Sequence, residues 1–393
     1  MNIACSTGNL DQIKYLHKLN LAESEQNSTE DKNGASWSIE ACQNAAKGHL
    51  DCLKYLHEES LAEGKNRYPW NEDVCEEAAN GHLDCLKYLH ENGCPWNEWT
   101  YINAAKGHLE CLKYLHEQSS TEGKQSLKKN GCLWNELACR FAAEGHLDCL
   151  KYLHENGCPW DEWTCAFAAR GGHMECLKYF HEQSLAEGKN GCPQSKYACS
   201  NAARGHLECL KFLHEQSSTE GKNRYPWDAD ACITAANGHL DCLKYLHENG
   251  CPWDEDVCGE ATNGHLECLK YLHENGCPWN IHAYTMAAKG HLDCLKYLHE
   301  NGCPWEMYVY ESIACDHLEC LKYLHENGYP WSKKACEGAA RGHLDCLKYL
   351  HENGCPWDES TINDTARDYP DCLKYICEQS STESERSSTK SEK

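Results

Sequence analysis

Between Leu83 and Leu89 the apolar residues Leu83, Cys85, Leu86 and Leu89 lie at helical spacing, while Asp84, Lys87 and Glu91 fill the outward positions. This is the stripe of an amphipathic helix with one face toward a core, and the outward charges can form local ion pairs. Asn92-Gly93 follows, and a residue able to take the left-handed conformation closes a helix at that point. A second, shorter helix is signalled from Asn97, whose side-chain oxygen suits an N-cap, to Ala104-Ala105 and a terminating Gly107. The same cap slot holds Ser38, Asn71, Asn135, Asp161, Ser195, Asp228, Asp254, Asn280, Ser332 and Asp358, and only Glu306 departs from the set. Trp96, just before the cap, is expected to pack on Tyr101 as a hydrophobic staple, with Trp70 on Cys75 and Trp160 on Cys165 repeating the arrangement.

These patterns are copies of one unit. The string Gly-His-Leu-Asp-Cys-Leu-Lys-Tyr-Leu-His-Glu of 81–91 recurs with its first His at 49, 82, 108, 146, 173, 206, 239, 265, 291, 317 and 343, and degenerate copies around Asn9 and Tyr369 make thirteen units. The spacing is 26 residues from His239 to Tyr369, with gaps of 33, 38 and 40 only earlier. Two helices of about ten residues cannot bury their apolar faces alone, so the units must stack into an all-α helix-turn-helix solenoid. That predicts one elongated domain over 1–377, a curved rod on the order of 100 Å long. Extra residues at 19–36, 59–68, 118–133, 183–193 and 216–225, and the tail 378–393, are rich in Ser, Glu, Lys and Gly, and are expected as mobile loops and a disordered end. Only Met1–Thr7 precede Gly8, so the first unit reads as a special cap or as the continuation of something longer. In the last unit Asn363, Asp364, Arg367 and Asp368 replace small residues and Pro370 suits a first helical position, as in a polar cap.

Charge narrows the partners. The 37 basic and 61 acidic side chains give a formal charge of -24, which repels phosphate backbones and anionic lipids. Nucleic acid and membrane are therefore not expected as partners. Without a signal-like start or a long apolar run, the chain is expected in the cytoplasm or nucleus, with its thiols reduced.

Each unit offers Cys and His, as in His82, Cys85, His90 and Cys94, out of 31 Cys and 24 His in all. Cys85 and His90 are five apart on a helix and point about 140° from each other, so they cannot chelate one ion from the same face. Cys85 lies in the apolar stripe, where a thiol behaves as a small hydrophobe. Equivalent thiols of adjacent units stand about one interhelix distance apart, beyond the roughly 7 Å Cα limit for a disulfide. No metal, cofactor or catalytic residue is assigned, since a pairing repeated about a dozen times is a packing role rather than a singular active site.

The run Ala-Ala-Arg-Gly-Gly-His-Met-Glu-Cys-Leu-Lys-Tyr-Phe at 168–180, like Gly-His-Leu-Glu-Cys-Leu-Lys-Tyr-Leu-His-Glu-Asn-Gly at 264–276, resembles the second half of the ankyrin repeat. The resemblance runs from about Ile3 to Glu378. It implies that family's stacked fold and its role as a protein-binding surface. Most units here are shorter than the family's roughly 33 residues, at the place of its projecting β-turn finger. Its Thr-Pro-Leu-His is absent, with Cys75 or Tyr101 standing where its Leu would be. A short, Cys- and Trp-rich variant with few or no fingers is expected.

Comparing units with one another shows where they differ. The second helix is nearly constant, whereas the first varies at the slots five and one before its Ala pair. These are four apart and share a face. Trp99, Leu137 with Phe141, Trp163 with Phe167, and Tyr197 occupy them in neighbouring units, and His282 and Tyr308 later on. The slot four before is always small, from Ala41 and Val74 to Ala335 and Thr361, and is expected to be buried. Two readings of the bulky residues stand level: an interface centre for a protein partner, or core packed on itself and under the insertions. Function is read as a non-catalytic interaction scaffold, acting as a monomer on a protein partner. The alternative is a Cys/His metal-binding or thiol-buffering array.

Overall fold

A computed structural model describes residues 2–26, 38–62, 70–121, 134–187, 196–219, 229–304, 317–331 and 333–379, and all regular structure among them is helical. They form a repeat-helical solenoid of paired helices. The cap slots Ser195, Asp228, Glu306 and Ser332 lie outside the described residues, as do most of the insertions and residues 380–393 of the tail. The chain divides into two compact units, one of 1–198 with 211–224 and one of 199–210 with 225–393.

In the first, short helices such as Glu72–Ala79, Glu98–Ala105 and Glu136–Ala142 alternate with longer ones such as Leu83–Glu91, Leu109–Thr121 and Leu147–Glu155. In the second the alternation runs through Ala229–Ala236, Leu240–Glu248, Glu255–Ala261 and Leu266–Glu274 to a last helix over 370–379, which begins at Pro370 as expected. Leu86, Leu89, Cys85 and their counterparts are fully buried against the small residues of the first helices, among them Val74, Ala78 and Ala79. Each such Leu contributes about 1.5–3 kcal/mol. Among the described residues the small slot is buried at Ala41, Val74, Thr100, Ala138, Thr164, Ala198, Ala231, Val257, Ala283 and Ala335, whereas Thr361 in the terminal unit is exposed.

The helix ends follow the caps with two exceptions. Side chains of Ser38, Asn97, Asn135, Asp161 and Asp254 accept N-terminal amides. Asn71 has the cap conformation but turns its amide to Asp73, and Asn280 instead accepts from His282 N in a turn that delays the helix to Ala283. After Leu83–Glu91, Gly93 (φ 76°) lets Gly93 N donate to His90 O and Cys94 N to Leu89 O, which turns Cys94 inward. Where Glu-Gln-Ser at 117–119, 182–184 and 215–217, Glu-Glu-Ser at 58–60 or Lys-Leu-Asn at 18–20 replaces Glu-Asn-Gly, that stop is missing and the helix continues. Leu10–Gln26, Leu50–Ala62, Leu109–Thr121, Met174–Ala186 and Leu207–Thr219 thus carry the first residues of the insertions, which were expected to be loops throughout.

A polar ladder joins successive second helices. In one compact unit His57, His90, His116 and His154 place Nδ1 at 2.7–3.1 Å from the hydroxyls of Tyr88, Tyr114, Tyr152 and Tyr179. In the other, His247, His273, His299, His325 and His351 meet Tyr271, Tyr297, Tyr323, Tyr349 and Tyr375 at 2.9 Å. The tryptophans take part in this ladder. Trp96 lies 4.2 Å from the His90 ring and meets Tyr114 edge-on, Trp70 covers His57, and Trp160 stacks on His154 at 3.8 Å. Tyr101 meets Trp134 of the following unit. The imidazole behind each Trp offers it a flat face. One methylene also matters here. Lys113, Lys270 and Lys322 pair at 2.8 Å with Glu110, Glu267 and Glu319 one turn back. Where that residue is the shorter Asp84, Asp148 or Asp241, Lys87, Lys151 and Lys244 lie over the next unit's Tyr ring instead.

Cysteine placement departs from expectation at one position. Cys165 is disulfide-bonded, although the thiols were expected to be reduced. The separation that keeps equivalent cysteines of adjacent units apart does not apply to non-equivalent ones within a unit. Cys232 and Cys251, for example, place their sulfurs 2.9 Å apart. Among the described residues there is no group of three or more His, Cys, Asp or Glu that could hold a metal ion, and no helix is long and apolar enough to cross a membrane.

Candidate interaction surface

The bulky residues stand on successive first helices of one compact unit: Trp99 on Glu98–Ala105, Leu137 and Phe141 on Glu136–Ala142, Trp163 and Phe167 on Glu162–Arg170, and Tyr197 near the start of Lys196–Ala202. Each helix start is fixed locally. Asn97 and Thr100 form a reciprocal capping box, Asn135 accepts from Leu137 N, and Asp161 accepts from Trp163 N and Thr164 N while Thr164 Oγ1 accepts from Asp161 N. Trp163 is therefore anchored through its own backbone amide.

Two tracks cross the helices. Phe141 and Phe167 meet edge to face with centroids 5.9 Å apart, and Lys106 Nζ lies 4.9 Å from the Phe141 centroid while donating to Asn103. Trp163 and Tyr197 stack at 4.5 Å and 17°, and the Arg140 guanidinium lies 6.0 Å from the Trp163 ring. Arg140 also forks onto both carboxylate oxygens of Asp161, so one carboxylate caps a helix and orients the cation beside the aromatic pair. Side-chain amides tie the same helices: Asn97 donates to Glu76 at 2.8 Å and Asn135 to Glu98 at 2.9 Å.

Both open readings describe part of the outcome. The rings pack on one another, yet Trp99 is 47% exposed and Tyr197 39%, while Leu137, Phe141, Trp163 and Phe167 are half-buried. His282 is exposed but belongs to the other compact unit, and Tyr308 lies outside the described residues. Arg140 and Lys106 were not among the residues expected at this surface, and Asp161 was expected only as a helix cap. Arg140, three residues past Leu137 and within the variable first helix, was the available signal.

Two stretches, 75–116 and 138–181, match a family model described as ankyrin repeats in many copies. Over these two stretches the chain carries ankyrin repeats. Each matched stretch starts within a first helix, at Cys75 or Ala138, and reaches the second helix of the next ankyrin unit. No curated protein matches the sequence. Solved structures similar to it include the pentatricopeptide repeat protein PPR10 in complex with an 18-nt psaJ RNA element (12% identity, TM-score 0.41, 93% of this chain) and the human ASB11 ankyrin repeat domain (22% identity, TM-score 0.35). The ASB11 match covers 50% of this chain and 96% of that one. The chain spans 62% of the length of the PPR10 chain it matches.

Proposed function

We propose that the protein is a non-catalytic ankyrin-type interaction scaffold that presents Trp99, Leu137, Phe141, Trp163, Phe167 and Tyr197 to a protein partner. The observation that carries this reading is the half-exposed aromatic array, with Trp99 and Tyr197 at its margins and Trp163 held between Arg140 and Tyr197. Aromatic residues with an adjacent Arg are the side chains most often found at interface hot spots. The capping boxes and the Arg140–Asp161 pair fix these side chains before binding, which lowers the ordering cost of association. The formal charge of -24 favours a protein over a nucleic acid as partner. The test is affinity capture from native cell extract with the full chain and with a Trp163→Ala/Phe167→Ala variant, each checked for helical content. Proteins retained by the first and lost by the folded variant are expected; identical capture by both would remove this surface from the function.

A further inference from the structure

Five pairs of cysteines recur at the same place in the ankyrin unit: Cys75 with Cys94, Cys139 with Cys158, Cys232 with Cys251, Cys258 with Cys277, and Cys336 with Cys355. One member is the fourth residue of the first helix, as in Glu72–Ala79, and the other is the residue turned inward after the second helix closes. Both are buried in every pair and within hydrogen-bond reach of each other, at 2.9 Å for Cys232 and Cys251. Cys94, Cys158 and Cys277 also approach the carbonyls of Asn71, Asn135 and Asp254, which hold them beside the start of their own first helix. The cysteines of the second helices differ: Cys149, Cys268 and Cys294 face the carbonyls of Ala104, Ala235 and Ala261 in a preceding unit. Independently, Cys165, in the same first-helix slot as Cys75 and Cys139, is already disulfide-bonded.

We propose that these pairs are sites of reversible disulfide formation by exchange with a small-molecule disulfide, each bond stapling the first helix of a unit to the turn that ends its second. One protein thiol, as thiolate, attacks the small-molecule disulfide, forms a mixed disulfide and expels one small thiolate. Its partner thiol loses its proton and attacks the protein sulfur of the mixed disulfide, expelling the second small thiolate. The protons released by the protein protonate the two thiolates, so the protein sulfurs are oxidised, the small-molecule sulfurs are reduced, and atoms and electrons balance. Cys139 lies between Leu137 and Phe141 on one helix, and Cys165 between Trp163 and Phe167 on the next. Oxidation therefore rigidifies the helices that carry the aromatic array.

The experiment equilibrates the full chain in buffers of reduced and oxidised glutathione from reducing to oxidising, quenches in acid, alkylates, and maps peptides by mass spectrometry. In the oxidising buffers Cys232–Cys251 and Cys258–Cys277 are expected as linked peptides, while Cys149, Cys268 and Cys294 remain alkylated. In Cys251→Ser, Cys232 should be recovered alkylated while Cys258–Cys277 still links, which separates pairing from unfolding. Pairs that stay alkylated at the oxidising end, that carry glutathione, or that link to cysteines outside these partnerships would overturn the proposal.

Discussion

His90 Nδ1 lies 2.9 Å from the hydroxyl of Tyr114 on the next unit's second helix, and the Trp96 ring covers the same imidazole. The contact is a rung between units, so its loss acts on the coupling that makes a solenoid cooperative. Tyr114→Phe keeps the ring under Lys87 and removes only the hydroxyl. It should cost about 0.5–1.5 kcal/mol, read as a lower urea midpoint with an unchanged denaturant slope. The chain carries this substitution at one of its own rungs, where Phe212 meets His181 ring to edge at 5.6 Å. An unchanged midpoint would mean that ring packing alone maintains the ladder.

A second prediction separates two kinds of glycine. Gly107 has φ 105°, and a Cβ built on it would stand 2.7 Å from Nδ1 of His146 in the following unit. Gly93 has φ 76° with nothing within 4 Å of such an atom. Gly93→Ala should therefore cost only the left-handed penalty of about 1–2 kcal/mol. Gly107→Ala adds a clash between units and should lower the urea midpoint clearly further. Equal losses would show that the imidazole can move aside.

Much of this fold could be read from spacing. The 26-residue period, the caps at Asn97, Asn135 and Asp161, and the small buried slot at Ala41 or Val74 are local signals that recur often enough to be distinguished from chance. What was misread depends on contacts between non-equivalent positions. Trp96 has two neighbours at comparable chain distance, the His behind it and the first helix ahead, and periodicity cannot choose between them. The separation of 19 residues from Cys75 to Cys94, repeated from Cys139 to Cys158 and from Cys232 to Cys251, was visible but acquires meaning only once the closing turn points Cys94 inward. Arg140 was likewise an ordinary variable residue until Asp161 of the following unit came within reach.

Stability should depend on pH near neutrality through the histidines that begin the second helices. Burial lowers the pKa of His82, His108, His239 and His291 below the ordinary 6.5, and each has at least one neighbouring imidazole that opposes a second proton. Glu77 partly offsets this at His82, whereas Arg204 adds to it at His239. Above 6.5 both the folded and unfolded chains keep these rings neutral, and the folded state has its full stability. As the pH falls below 6.5 the unfolded chain takes up protons first, so stability declines until the lowered folded pKa values are passed. Thermal melts should therefore show a lower midpoint at about pH 5.5 than at about pH 7.5, a range in which His is the main side chain to titrate. His108→Gln should shrink that difference, because it removes one titrating ring whose protonation is opposed by burial and by His146 and His82. A midpoint independent of pH across this range, or a larger difference in the variant, would show that the histidine row does not oppose protonation.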